Sequence, residues 1–137
     1  MPSYAIKLAQ NLLRCPSVTP AEGGAIDLMQ DELGKLGFDC TRLPFGTGLT
    51  RVDNLFARLG NSGPHFAFAG HTDVVPVGDL AKWQHDPFSG TLHDGKLFGR
   101  GAADMKGGIA AFVAAVAEFI QHTPDAGSIS LIITGDE

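Results

Sequence analysis

The stretch Ser128-Ile129-Ser130-Leu131-Ile132-Ile133-Thr134 decides the fold class. Its β-branched and apolar residues leave few polar positions, which predicts a central strand with neighbours on both sides and helices on both faces. Before it, residues 105–120 are apolar nearly all round (Ile109, Phe112, Val113, Val116, Phe119), the pattern of a helix buried over most of its surface. A buried helix leading into an apolar strand places the chain among α/β proteins. Upstream, residues 66–69 form a compact apolar strand that runs into His71, and 38–43 and 54–59 read as short strands around a loop at Gly46 and Gly48. Asp94-Gly95 tolerates the positive φ angles of a tight hairpin between Thr91-Leu92 and Leu97-Phe98. Nearer the N-terminus, Ala5, Leu8, Ala9, Leu12 and Leu13 share one helical face before Pro16 ends the helix. Ile26, Met29, Leu33 and Leu36 repeat that spacing until Gly37. No repeat, low-complexity segment or linker divides the chain, so no domain boundary is expected within 1–137.

Composition narrows the function. The 137 residues are 44% hydrophobic, enough to bury a sizeable core, and 18 glycines suit a protein with many tight turns. The formal net charge of -5, with no Lys/Arg cluster, argues against nucleic acid and favours a small-molecule or peptide-like partner. Cys15 and Cys40 show no paired spacing and read as reduced thiols. The N-terminus lacks the charged and apolar regions of a secretion signal. The apolar run 109–117 falls short of the roughly 20 residues that span a bilayer. A soluble, cytoplasmic protein with no membrane partner is therefore expected.

Three motifs carry the chemistry: Gly70-His71-Thr72-Asp73-Val74-Val75-Pro76, Gly99-Arg100-Gly101-Ala102-Ala103-Asp104-Met105-Lys106-Gly107-Gly108, and Thr134-Gly135-Asp136-Glu137. Residues two apart in an extended segment project to one side, so His71 and Asp73 can face one cavity. Asp73 is placed to accept the second ring N–H of a ligating imidazole. Asp104 stands at a junction leading into a helix, where open α/β sheets gather their sites, and its carboxylate can bridge two cations. Each motif also has a plain structural reading: a helix cap at Asp104, a hydrogen-bonded turn at His71-Thr72-Asp73, and a solvated strand end at Asp136-Glu137. Their shared position, each after an apolar strand or hairpin, favours a common site. No Gly-x-Ser-x-Gly elbow, Cys–His pair, dinucleotide fingerprint or P-loop competes. His65, His85, His93 and His122 read as surface or packing residues, and Trp83 with Asp86-Pro87-Phe88 as a packed loop.

These motifs, in this order and together with Trp83 and Asp86-Pro87-Phe88, resemble the M20 family of metallo-deacylases and peptidases. The resemblance implies the N-terminal part of a zinc-peptidase-like catalytic domain, with a mixed, mostly parallel central sheet flanked by helices. It makes His71 a terminal zinc ligand, Asp73 the carboxylate that orients it, Asp104 the carboxylate bridging two zinc ions, and Glu137 the general base. Cobalt or manganese could replace zinc in such a donor set. The activity implied is hydrolysis of an N-acyl amino acid. The opening Leu13-Arg14-Cys15-Pro16-Ser17-Val18-Thr19-Pro20 and the Ala102-Ala103 pair tilt the expectation toward removal of succinate from N-succinyl-LL-diaminopimelate, in lysine and cell-wall precursor synthesis. Acetylornithine, other acyl-amino acids and small peptides are the alternative substrates.

Members of the family continue with another Glu after the position of Glu137, then supply a further acidic ligand, a late His and a smaller dimerisation domain, so the parent is expected to be a homodimer. His71 and Asp104 alone fall short of the three protein ligands of a catalytic zinc. On its own the chain is expected to bind zinc weakly and turn over poorly. The alternative of a different class is a non-catalytic, metal-poor remnant or binding scaffold.

Overall fold

A computed structural model describes residues 1–123, 125 and 127–137. Helix α1 (Tyr4–Leu13) starts at Ser3, whose Oγ accepts from the Ile6 N–H, and buries Leu8, Ala9, Leu12 and Leu13. Helix α2 (Ala25–Lys35) buries Ala25, Ile26, Met29 and Leu33. The chain leaves it through Gly37 at φ 88°, the left-handed conformation that ends helices. Strands β1 (Asp39–Phe45) and β2 (Val52–Leu59) extend further toward the intervening loop than their apolar residues alone predict. Strand β3 (His65–His71) ends on His71 itself. The hairpin of β4 (Thr91–His93) and β5 (Lys96–Phe98) turns through Asp94 (φ 48°) and Gly95 (φ 72°), as the Asp-Gly pair predicts. Helix α3 (Gly107–His122) and strand β6 (Ser128–Thr134) complete the fold.

The sheet has the order β1-β2-β6-β3, and β6 is central as expected, paired antiparallel with β2 and parallel with β3. The expected mixed character holds. The expectation of a mostly parallel sheet does not hold for these four strands, because β1 and β2 are joined by a short reversal and pair antiparallel, as do β2 and β6. Only β3 and β6, separated by the β4–β5 hairpin and α3, have the long crossover that a parallel pair needs.

Helices were expected on both faces of β6, some of them from beyond Glu137; within the described residues α1, α2 and α3 all pack on one face. Leu131 and Ile133 lie in a core with Leu55, Ala57, Leu12, Met29, Ile109 and Val113, and Ile129 packs against it. Alternation along the strand sends Ile132 to the other side, where it is 43% exposed and no helix of the described residues covers it. Phe68 and Phe112 stack at 4.3 Å between ring centroids and tie β3 to α3.

Leu131 sits at the centre of this core with no exposed surface. Leu131→Ala is expected to cost about 2–5 kcal/mol of stability, read from the shift of the denaturant midpoint at constant slope.

Candidate metal centre

Because β3 and β6 run parallel in register, with His71 opposite Thr134, their carboxyl ends emerge side by side. That edge is where open α/β sheets place ligands. The pairing continues for one residue, the Thr72 N–H donating to the Thr134 carbonyl at 3.0 Å. The chain then delivers His71 and Asp73 from one strand and Asp136 and Glu137 from the other.

The third segment arrives through the turn ahead of α3. At its entry Gly101 has φ 87°, and a Cβ there would lie 2.6 Å from Val74 Cγ1, so this close approach requires glycine. Asp104 and Met105 depart from helical geometry (φ -131° and -133°), which moves the start of α3 from the predicted Met105 to Gly107. No side chain caps α3. The Asp104 carboxylate instead meets His71, with Oδ1 3.0 Å from Nε2.

Glu137 Oε2 lies 3.2 Å from the same Nε2. One ligand atom each from His71, Asp104 and Glu137 falls within 4.8 Å of the others. The imidazole is buried, whereas the Asp104 and Glu137 side chains are 84% and 70% exposed, so the cluster opens to solvent on its acidic side.

Asp73 acts twice on this cluster. Its backbone carbonyl is the nearest acceptor to His71 Nδ1, at 3.1 Å, and its own carboxylate oxygen Oδ1 stands next at 3.4 Å. A carbonyl can only accept, so Nδ1 carries a proton and Nε2 is the ring atom that faces the cluster. Asp73 Oδ2 accepts from the Glu137 N–H at 3.3 Å and so holds the end of the β6 segment.

The donor set fits a divalent cation. Three carboxylates converge on one imidazole, and Asp73 Oδ1 is buried without a hydrogen-bond partner, an arrangement that calls for positive charge nearby. Burial alone would lower the His71 pKa. The Asp73 carbonyl, the Asp104 hydrogen bond and the charges of Asp73 and Glu137 outweigh it and hold the pKa above its usual value. The raised pKa favours the imidazolium form, whose Nε2 proton lies between the ring and Asp104 Oδ1.

A cation held by Nε2 would have to displace that proton. Affinity is expected to rise with pH by up to about tenfold per unit below the raised His71 pKa and to level off above it, checked by calorimetry between about pH 6 and pH 8. The sign for stability is opposite without cation. A raised folded-state pKa contributes stability that is complete below the unfolded value and is lost as pH rises through the folded one.

Sequence reasoning missed the residues that brace these segments. Lys106 is wholly buried, its Nζ donating to the Cys15 carbonyl at 2.9 Å, and desolvation pushes its pKa down to about 8. A lysine in a glycine-rich turn gives no sign in sequence of being interior. Ser17 and Thr19, which entered the sequence reading only within the Leu13–Pro20 string, bond to the site segments directly. Trp83 behaves as expected for a packed loop: its Nε1–H donates to the Val77 carbonyl and Arg100 lies over its ring at 5.1 Å. His65 pairs with Ser128, His85 packs on Phe98, and His122 bonds to the Glu118 carbonyl, all apart from the cluster.

Known proteins align with both sequence and fold. Over 134 residues the chain is 65% identical to a succinyl-diaminopimelate desuccinylase of Rhodospirillum centenum, covering 96% of this chain and 35% of that protein. A protein of the same name from Gluconacetobacter diazotrophicus is 60% identical, covering 97% of this chain and 34% of its own length. The chain therefore spans about a third of the length of these curated relatives. Human carnosine dipeptidase 1 superposes with a TM-score of 0.83 at 28% identity, covering 96% of this chain and 31% of that one. An M20 family metallo-carboxypeptidase, Sso-CP2 of Sulfolobus solfataricus, shares the fold with a TM-score of 0.86 at 22% identity, covering 98% and 31%. Among the described residues no helix is long and apolar enough to cross a membrane. Residues 67–137, which include His71, Asp73, Asp104 and Glu137, match the description Peptidase family M20/M25/M40, and the chain belongs to that family.

Proposed function

We propose that this chain is the N-terminal part of the catalytic domain of a divalent-metal amide hydrolase that removes succinate from N-succinyl-LL-diaminopimelate. The observation that carries the proposal is the convergence of His71, Asp104 and Glu137 at the carboxyl ends of β3 and β6. The choice of substrate is supported by relatives 65% and 60% identical that bear the desuccinylase name. A charged, water-soluble metabolite of this kind suits a cytoplasmic enzyme.

His71 Nε2 and the Asp104 carboxylate would hold the cation, and the two oxygens of Asp104 allow it to reach a second one. Zinc is favoured by family resemblance, with cobalt as an alternative. When bound, such a cation acidifies water and polarises the scissile carbonyl. Asp73 keeps Nε2 directed at the cluster by holding Nδ1–H, and fixes the Glu137 backbone through Oδ2. Glu137, with an exposed carboxylate beside the cluster, takes the proton of the attacking water and returns it to the departing amine. The remaining ligands of a two-cation site would come from residues outside 1–137, so this segment alone is proposed to bind metal weakly and not to turn over.

The test is a substrate panel on a polypeptide of the relatives' length that carries this sequence. N-succinyl-LL-diaminopimelate is expected to be hydrolysed with the highest kcat/KM. Faster hydrolysis of N-acetylornithine would move the assignment to that deacylase, and absence of both hydrolysis and stoichiometric metal would favour a metal-poor scaffold.

A further inference from the structure

The stretch joining α1 to α2 contributes nothing to the cation cluster, yet it is bonded to each of the three segments that build it. Toward the Asp104 segment, the Cys15 carbonyl accepts from Lys106 Nζ at 2.9 Å. Toward β3, Ser17 Oγ donates to the Thr72 carbonyl at 2.6 Å, and the Ser17 carbonyl accepts from the Val74 N–H at 2.9 Å. These two bonds grip the backbone on either side of Asp73. The Thr19 N–H donates to the Val74 carbonyl at 3.1 Å, and Val18 pairs with Val74 as an isolated parallel bridge. Toward β6, Thr19 Oγ1 donates to Asp136 Oδ1 at 2.8 Å, next to Glu137.

Few other bonds set the spacing of these segments. Beyond the β3–β6 ladder, the 71–74 and 134–137 segments meet through Thr72 N–H to Thr134 and Glu137 N–H to Asp73, while among the described residues the hydrogen bond of the Asp104 carboxylate is to His71. Asp104 and Glu137 are exposed, so packing does little to hold their carboxylates in place. A ligand set loses affinity when its supporting shell lets it drift by about half an ångström.

We propose that residues 15–19 are a positioning clamp that sets the spacing of His71, Asp104 and Glu137, with Ser17 and Thr19 as its positioning residues. The inference rests on the cation site proposed above. Ser17 is fully buried, and losing its hydroxyl strands the Thr72 carbonyl. Thr19 is partly exposed, so its replacement tests the clamp with little risk to folding.

The experiment compares Thr19→Val, Thr19→Ser, Ser17→Ala and, as a control, Tyr4→Phe in the holoenzyme. The zinc dissociation constant is read by competition with a chromophoric chelator, and the thermal midpoint is recorded for each variant. Tyr4→Phe also deletes a side-chain hydrogen bond, to Glu32 at 2.7 Å, but one away from the clamp. Thr19→Val and Ser17→Ala are expected to weaken zinc by roughly tenfold, as loss of a supporting contact does at metal sites. Thr19→Ser, which keeps the hydroxyl, and Tyr4→Phe are expected to bind zinc like the parent. The clamp is overturned if Thr19→Val and Ser17→Ala retain parental affinity, if Thr19→Ser is as weak as Thr19→Val, or if Tyr4→Phe is equally impaired. A parent enzyme that binds no zinc overturns the cation site itself, and the clamp with it.

Discussion

Glu137→Gln is expected to lower kcat for amide hydrolysis by about 10²- to 10⁴-fold, the range attributed to a positioned general acid–base group. Gln matches Glu in length and shape, so the backbone bond from Glu137 N–H to Asp73 and the approach of the side chain to His71 survive the change. What is lost is the capacity to accept a proton. KM and cation affinity should therefore stay near the parental values, which is the signature of an interaction made only in the transition state. Steady-state kinetics with metal content measured on the same sample separates the cases. An equal loss of bound cation would make Glu137 a ligand rather than the base.

His71→Ala is expected to reduce divalent-cation affinity by more than about 100-fold, exceeding the effect of losing an outer-shell partner. The imidazole is the buried donor of the cluster and is oriented before any cation arrives by the Asp73 carbonyl. Alanine removes that donor and leaves the Asp73, Asp104 and Glu137 carboxylates facing one another. Mutual repulsion and the unpartnered Asp73 Oδ1 should also lower the stability of the cation-free protein. His122→Ala supplies the comparison, since that ring bonds to the Glu118 carbonyl of its own helix and lies outside the cluster. It should leave cation affinity unchanged by calorimetry.

The parts of this molecule that were legible in sequence are those that local patterning dictates. The apolar alternation of β6, the Asp94-Gly95 hairpin and the amphipathic spacing of α1 and α2 each follow from neighbours within a few residues. His71, Asp73, Asp104 and Glu137 were picked out by their short motifs, and the structure brings them together at one edge of the sheet. What sequence misjudged depends on pairing at a distance. Parallel character was overestimated because strand direction depends on which strand β6 meets, and β2 reaches it antiparallel. Within the described residues the two faces of β6 differ, Leu131 and Ile133 meeting helices and Ile132 meeting none, and some of the helices expected around this strand were placed beyond residue 137.

The site has the same division. Asp104 could be read as a cap or as a ligand; no side chain caps α3, and the turn ahead of it directs the Asp104 carboxylate to His71. Asp73 was expected to act on the imidazole through its carboxylate, yet its carbonyl lies closer to Nδ1, a difference that residue identity cannot reveal. Ser17, Thr19 and Lys106 were invisible as site residues because their partners lie far along the chain.

The central claim is that His71, Asp104 and Glu137 mark a divalent-cation site. Anomalous diffraction at the zinc absorption edge, from crystals of the zinc-loaded holoenzyme, tests it most directly. An anomalous peak is expected within bonding distance of His71 Nε2 and an Asp104 carboxylate oxygen, with Glu137 alongside. Zinc bound elsewhere, with His71 Nε2 still hydrogen-bonded to Asp104, would contradict it.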